Sequence, residues 1–284
     1  MRRVTPPRNI LHAMPKPLWR CRPPVAAWAA ALGLLAGCAG APVAQGLALN
    51  KPVVLLGEVH DNAAQHALRL RAFEALLASG ARPAMALEQF DRNRQADIDR
   101  ALALSPRPDA DALIAAAGGA QGWHWPFYRP FIELALRHDL PIIAANVSGN
   151  EARAVMRDGL AASGFDPHVP DAVMQAHARH ILDGHCGQID AATAARMALA
   201  QVARDQYMAR VLQAQAGRGV VLLAGNGHVR TDIGAPRWLD TQTRQRSEAI
   251  GVLEAGDDET AYDRWVHTAA QARSDPCAAM TRKP

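Results

Sequence analysis

The chain has 284 residues, 49% of them hydrophobic, enough for one substantial core and too few for several large domains. Its formal charge of +4 is carried by the N-terminus, where the first 37 residues hold Arg2, Arg3, Arg8, Lys16, Arg20 and Arg22 and no acid. Without those six, 25 basic residues face 27 acidic ones, a balance that lacks the electrostatic footprint of a nucleic-acid-binding protein.

Those arginines precede an apolar run over residues 25–37. The run is shorter than the roughly 20 residues that span a bilayer, so it reads as the core of a signal peptide. It closes on Leu35-Ala36-Gly37-Cys38, which resembles the lipobox of bacterial lipoproteins. The expectation is a signal peptide over 1–37, a lipidated Cys38 and a tether over 38–50. Acyl chains contributing ~0.8 kcal/mol per buried CH₂ would hold such a protein durably on a membrane. Ala39, rather than Asp, after the cysteine points to the outer membrane and a periplasm-facing domain. The stretch before Lys16 is long for a signal, which leaves Met1 and Met14 as alternative starts. Cys21 leaves with the signal and Cys38 carries lipid, so Cys186 and Cys277 remain. In an oxidising compartment this pair reads as a disulfide, with two unrelated buried thiols as the alternative.

From residue 51 onward, short apolar strands alternate with amphipathic helices. Strands are expected over 53–56, 83–87, 141–145, 220–224 and 249–253. Helices are expected over 63–79, 92–104, 109–117 and 127–138, then over 150–160, 171–182 and 190–216. The alternation predicts a single α/β domain over 51–284, with a mostly parallel central sheet covered by helices on both faces. Three successive helices without a strand predict a helical insertion over about 148–216.

Four of the strands end in polar residues: Glu58 with His60, Glu88, Asn146, and Asn226 with His228. Ligands of open α/β sheets sit at the carboxyl ends of the strands, so these six side chains are expected on one rim. Two Glu and two His there could ligate a divalent metal or exchange protons. The competing reading is a hydrogen-bonded cluster that only fixes loop geometry.

The motifs Leu-Gly-Glu-Val-His-Asp-Asn (56–62), Ala-Leu-Glu-Gln-Phe (86–90) and Gly-Asn-Gly-His-Val-Arg (225–230) resemble those of the ChaN family. That family groups haem-binding uptake lipoproteins within the superfamily that also holds Tiki, TraB and erythromycin-esterase-like proteins. The likeness extends through Trp123–Pro130, 140–146, 184–187, 200–209 and the tail around Cys277. It departs at Gln188-Ile189-Asp190 and at Ser148-Gly149.

The resemblance implies haem as cofactor, bound at a homodimer interface through a tyrosine with a histidine assisting, and an outer-membrane haem receptor as partner. Tyr128, Tyr207 and Tyr262 are the tyrosines of the chain. Tyr207 and Tyr128 are the candidate haem ligands, with His177 and His180, three residues apart on one expected helix, as assisting groups. The alternative implied by the wider superfamily is a metal-dependent hydrolase using Glu58, His60, Glu88 and His228.

Overall fold

The computed structural model describes residues 46–119, 122–275 and 277–278. The signal peptide, Cys38 and most of the tether lie outside them.

Six strands form one sheet: β1 (Val53–Leu56), β2 (Ala84–Asp91), β3 (Ile142–Asn146), β4 (Val220–Leu223), β5 (Ser247–Leu253) and β6 (Arg264–His267). Their spatial order is β3-β2-β4-β1-β5-β6, and every pairing is parallel. Strands 1, 2, 4 and 5 lie inside the sheet and are almost wholly apolar, as strands covered on two faces must be. Residue alternation divides them between two cores. Val54, Leu56, Met85, Leu87, Val221 and Leu223 face one side. There they meet α1 (Ala63–Ala78), α2 (Gln95–Leu102), α3 (Ala110–Ala116) and α4 (Trp125–Arg137). Val53, Leu55, Ala84, Ala86, Val220 and Leu222 face the other side, against Met208, Val211 and Leu212 of α7 (Ala191–Gln215). Each leucine fully buried this way contributes about 1.5–3 kcal/mol.

Before α7 come α5 (Gly149–Asp158) and α6 (Asp171–Gly184), which with the first half of α7 form the expected helical insertion. Its small core joins Val147, Val155, Phe165, Val173 and Val202. Side chains fix the helix starts: Asn62 accepts from the Gln65 N–H, Asp190 accepts from the Thr193 N–H, and Ser148 forms a capping box with Glu151. Caps of this kind contribute about 1 kcal/mol each. Two short helices, α8 (Asn226–Val229) and α9 (Thr241–Gln245), complete the chain.

Three elements depart from expectation. Strand β2 runs on to Asp91 instead of stopping before Glu88, because Glu88, Gln89 and Phe90 are all buried. The expected helix over 92–104 begins with a 3₁₀ turn at Arg92–Arg94. Strand β6 had no apolar run to announce it, since it is a four-residue edge strand with Trp265 exposed. The expected pair Cys186 and Cys277 is disulfide-bonded, with Cα atoms 5.5 Å apart. It pins the C-terminal segment beside the end of α6.

Candidate functional site at the strand ends

Because the sheet is parallel, β1, β2, β3 and β4 end on the same rim and bring the six polar residues to one side. The motifs after β1 and β4 interlock through their glycines. A Cβ on Gly57 would stand 2.2 Å from Oδ1 of Asn226, and one on Gly225 would stand 2.9 Å from Cε1 and Nε2 of His60. Each glycine therefore leaves room for the other motif's polar side chain.

The six residues divide into two ionic groups and two amide splints. Glu58 is buried and surrounded. It is ion-paired with Arg69 of α1, accepts from Tyr128 Oη at 2.5 Å, and lies 2.8 Å from Nδ1 of His60. His66 stands 3.6 Å away on another side. Burial lowers the Arg69 pKa to about 9, still above neutrality, so its guanidinium stays protonated beside Glu58. Burial also brings His66 down to about 4, leaving it neutral.

The second group is centred on His228. Its Nδ1 lies 2.6 Å from Oδ1 of Asp205 on α7, and its Nε2 lies 3.5 Å from Oε1 of Glu88. Burial alone would discharge the ring, but the two carboxylates hold its pKa at about 10. Burial likewise opposes the Glu88 charge, and the neighbouring imidazolium outweighs it, holding the carboxyl at about 2. Burial raises Asp205, and His228 opposes that rise. With an N–H facing each carboxylate, His228 is the proton carrier of this group. The other Glu88 oxygen accepts from the Gly225 N–H at 2.7 Å.

The amides join strands. Asn146 donates to the Glu88 carbonyl at 2.9 Å. Asn226 donates to the Val252 carbonyl at 2.7 Å and accepts from the Val252 N–H at 3.2 Å. Strand β1 ends level with Ile250, so the Asn226 amide takes the place that a further β1 peptide would have occupied beside Val252.

These contacts lend the metal alternative no support. Glu58 is held by an arginine, a tyrosine and a histidine, and His228 has a carboxylate facing each ring nitrogen. Among the described residues, no group of three or more His, Cys, Asp or Glu side chains is placed to hold a metal ion. The divalent-metal alternative at Glu58, His60, Glu88 and His228 therefore finds no support among the described residues.

Two pockets open on this rim and share His60, whose side chain is 48% exposed. One, of about 750 Å³, is walled by Trp123, His124, Phe127 and Asn146. The other, of about 490 Å³, lies between α6 and the turn after β4 and is walled by His177, His180, His185 and His228. Both fall within the about 300–1,000 Å³ typical of ligand sites. The Trp123 ring meets His60 edge-on at 4.9 Å, and Phe127 stacks on His66 at 4.4 Å.

The expected haem residues do not converge. Tyr128 is fully buried, and its hydroxyl is committed to Glu58. Burial drives its pKa well above the usual phenol range, and its ring borders the first rim pocket. Tyr207 is half-buried on α7 under the Arg92 guanidinium, 5.3 Å from the ring centre, and lines a different pocket with Gln95 and Asp99. His177 and His180 line the second rim pocket, and His177 is buried with Nε2 toward the Ile233 carbonyl and Asp205.

Three members of the site went unanticipated, Arg69, His66 and Asp205. Asp205 interrupts an otherwise apolar stripe of Ala198, Val202 and Leu212, and Arg69 lies beside Ala72 and Phe73 on a buried face that also carries Gln65 and His66. A charge on a buried helix face requires a buried partner of opposite sign, and that is the signal Arg69 and Asp205 carried.

The profile of the family described as "Haem-binding uptake, Tiki superfamily, ChaN" matches residues 46–239. Among solved structures, the chain is similar to ChaN of Campylobacter jejuni, determined for its cofacial haem binding. The TM-score is 0.65 at 22% identity, over 75% of this chain and 86% of that one. It is more distantly similar to the type III effector HopBA1, with TM-score 0.44, 14% identity and coverage of 78% and 88%. A variant of the erythromycin esterase EreC in its open conformation gives 0.40 at 13%, over 72% and 71%. No curated protein matches the chain.

Proposed function

Because the chain belongs to the haem-binding uptake family ChaN of the Tiki superfamily, we propose that it binds haem and takes part in haem or iron uptake or storage. The observation that carries this reading is the family match over 46–239, which includes the rim and both of its pockets. The residues suit the group. Imidazoles line the second pocket, aromatic rings line the first, and a Cβ at Gly184 or Gly227 would meet no atom within 4 Å, leaving a smooth wall for a flat ring system. Bound haem would supply the redox-active iron, while the protein would supply an axial donor, an apolar slot and exclusion of solvent.

The finer reading places this domain at the bacterial outer membrane, facing the periplasm and anchored through lipid on Cys38. It acts there as a homodimer that exchanges haem with an outer-membrane receptor. The LAGC motif supports the anchor, and the disulfide fits an oxidising compartment. Among the described residues no helix is long and apolar enough to cross a membrane.

Titration of the purified protein with haemin, followed by its visible spectrum, tests the central reading. Saturable binding with a shifted Soret band is expected, and a spectrum that remains that of free haemin would reject it. Palmitate labelling of wild type but not of Cys38→Ala is the expected result for the anchor.

A further inference from the structure

The two ends of the sheet carry opposite charge. Because the strands are parallel, Val53, Ala84, Val220 and Ser247 stand level with one another across β2-β4-β1-β5. A basic residue comes just before each: Lys51, Arg82 and Arg218 two positions earlier, and Arg246 one. Backbone contacts hold these approaches together, the Val220 N–H donating to the Pro52 carbonyl at 2.8 Å and the Ala84 N–H to the Gly219 carbonyl at 2.9 Å. Four adjacent strands therefore present a basic row about 15 Å long.

Lys51, Arg82 and Arg218 are exposed, and Arg246 is half-buried. Arg82 and Arg246 also donate to carbonyls at helix ends, of Leu77 and Ala216, each at 3.1 Å. The ion pairs of this end use other residues, joining Arg107 to Asp139, Arg244 to Asp263 and Arg264 to Glu248. Asp240 caps α9, and the exposed Glu74 near the end of α1 offsets part of the charge. At the opposite end acids follow the strands: Glu58 after β1, Glu88 and Asp91 within β2, and Glu254 after β5. Placement creates this polarity, since beyond residue 37 the charges nearly cancel.

The chain enters the domain at the basic end. Gly46 is the first described residue, Arg264 at the start of β6 donates to the Ala48 carbonyl at 2.5 Å, and Lys51 follows three residues on. Cys38 lies eight residues before Gly46, a length of chain that reaches at most about 29 Å. A lipid on Cys38 would keep the row close to the headgroups. Trp265, next to Arg264, adds an exposed ring of the kind that settles at a membrane–water boundary.

We propose that the strand-start face, through Lys51, Arg82, Arg218 and Arg246, docks on the phosphates of an anionic lipid surface and turns the acidic rim, with both of its pockets, away from the membrane. This rests on the reading of Cys38 as a lipid anchor. Arginine forks match phosphate oxygens, and each basic residue near an anionic surface strengthens association about fivefold.

Lys51 is the one lysine among the described residues, so acetylation of its amine reports on this face. The test reconstitutes the lipidated protein in vesicles of phosphatidylcholine and of an equimolar mixture with phosphatidylglycerol, and reads Lys51 acetylation by mass spectrometry. Acetylation is expected to be several-fold slower in the anionic vesicles and to recover at high salt, which screens the contact. Arg218→Glu should narrow the difference, and Arg82→Glu with Arg218→Glu should abolish it, melting curves establishing that each variant is folded. Equal rates for wild type in both vesicles overturn the docking and leave the anchor intact, whether both are fast or both are slow, as a second protein molecule over the face would make them. Equal slowing by inorganic phosphate in the neutral vesicles also overturns it, assigning the row to a free anion. Failure of the protein to float with either kind of vesicle overturns both readings.

Discussion

His228 and Asp205 are joined across 2.6 Å, linking the turn after β4 to the middle of α7. This contact makes the stability of the domain depend on pH. The His228 pKa rises from 6.5 to about 10 on folding, so its contribution is complete below about 6.5 and is lost as pH climbs toward 10. His66 acts in the opposite sense. Its pKa falls from 6.5 to about 4, so stability is lost as pH drops from 6.5 toward 4. Glu88, lowered from 4.5 to about 2, adds a further loss below 4.5. The urea midpoint is therefore expected to peak near pH 6.5, and His228→Gln should flatten the alkaline limb. An alkaline limb as steep in the variant as in wild type would contradict this account.

Arg69 and Glu58 form a pair with both side chains fully buried. Removing one partner strands a charge, and such losses cost about 3–5 kcal/mol. Arg69→Met is expected to fall in that range by denaturant unfolding. Combining it with Glu58→Gln should recover part of the loss, because the stranded carboxylate is then gone.

The interlocked glycines predict an asymmetry. A methyl at Gly57 meets Asn226 Oδ1, Val229 Cγ2 and the Ile250 carbonyl, whereas a methyl at Gly225 meets only the half-exposed His60 ring within 3 Å. Gly57→Ala should cost about 1–3 kcal/mol as overpacking does. Gly225→Ala should cost less and displace His60, which the His60 imidazole signals in NMR would report.

The disulfide closes a loop whose ends lie 91 residues apart in sequence. Cys186→Ser with Cys277→Ser is expected to lower stability by about 2–4 kcal/mol. Wild type treated with reductant is expected to show the same loss.

The sheet was legible because its strands are apolar runs that stop abruptly at glycine or at a charge. The rim was legible for the same reason: Glu58, Asn146, Asn226 and His228 each mark a strand end, and Glu88 marks where the apolar run of β2 stops. What they do there was not legible. Parallel pairing brings the strand ends together, but the partners that settle each role come from helices, Arg69 from α1, Tyr128 from α4 and Asp205 from α7. Helix rotation and register decide those meetings, and no local spacing encodes them. That is why four residues with a metal-like donor set proved to be two ionic groups. Strand β6 escaped notice because an edge strand needs only one covered face, and its alternation of half-buried and exposed residues is too short to stand out.

Asn226 closes the sheet with a side chain where main chain has run out. The amide proton of Val252 is held by a residue 26 positions earlier in the chain. Its exchange with solvent should accordingly follow the integrity of the turn after β4, not the breathing of the neighbouring strand. A single slowly exchanging proton thus becomes a reporter for whether the ligand-facing loop is in place, readable without any ligand. Asn226→Asp would keep the acceptor and lose the donor, so the Val252 proton would stay protected while its carbonyl turned to water.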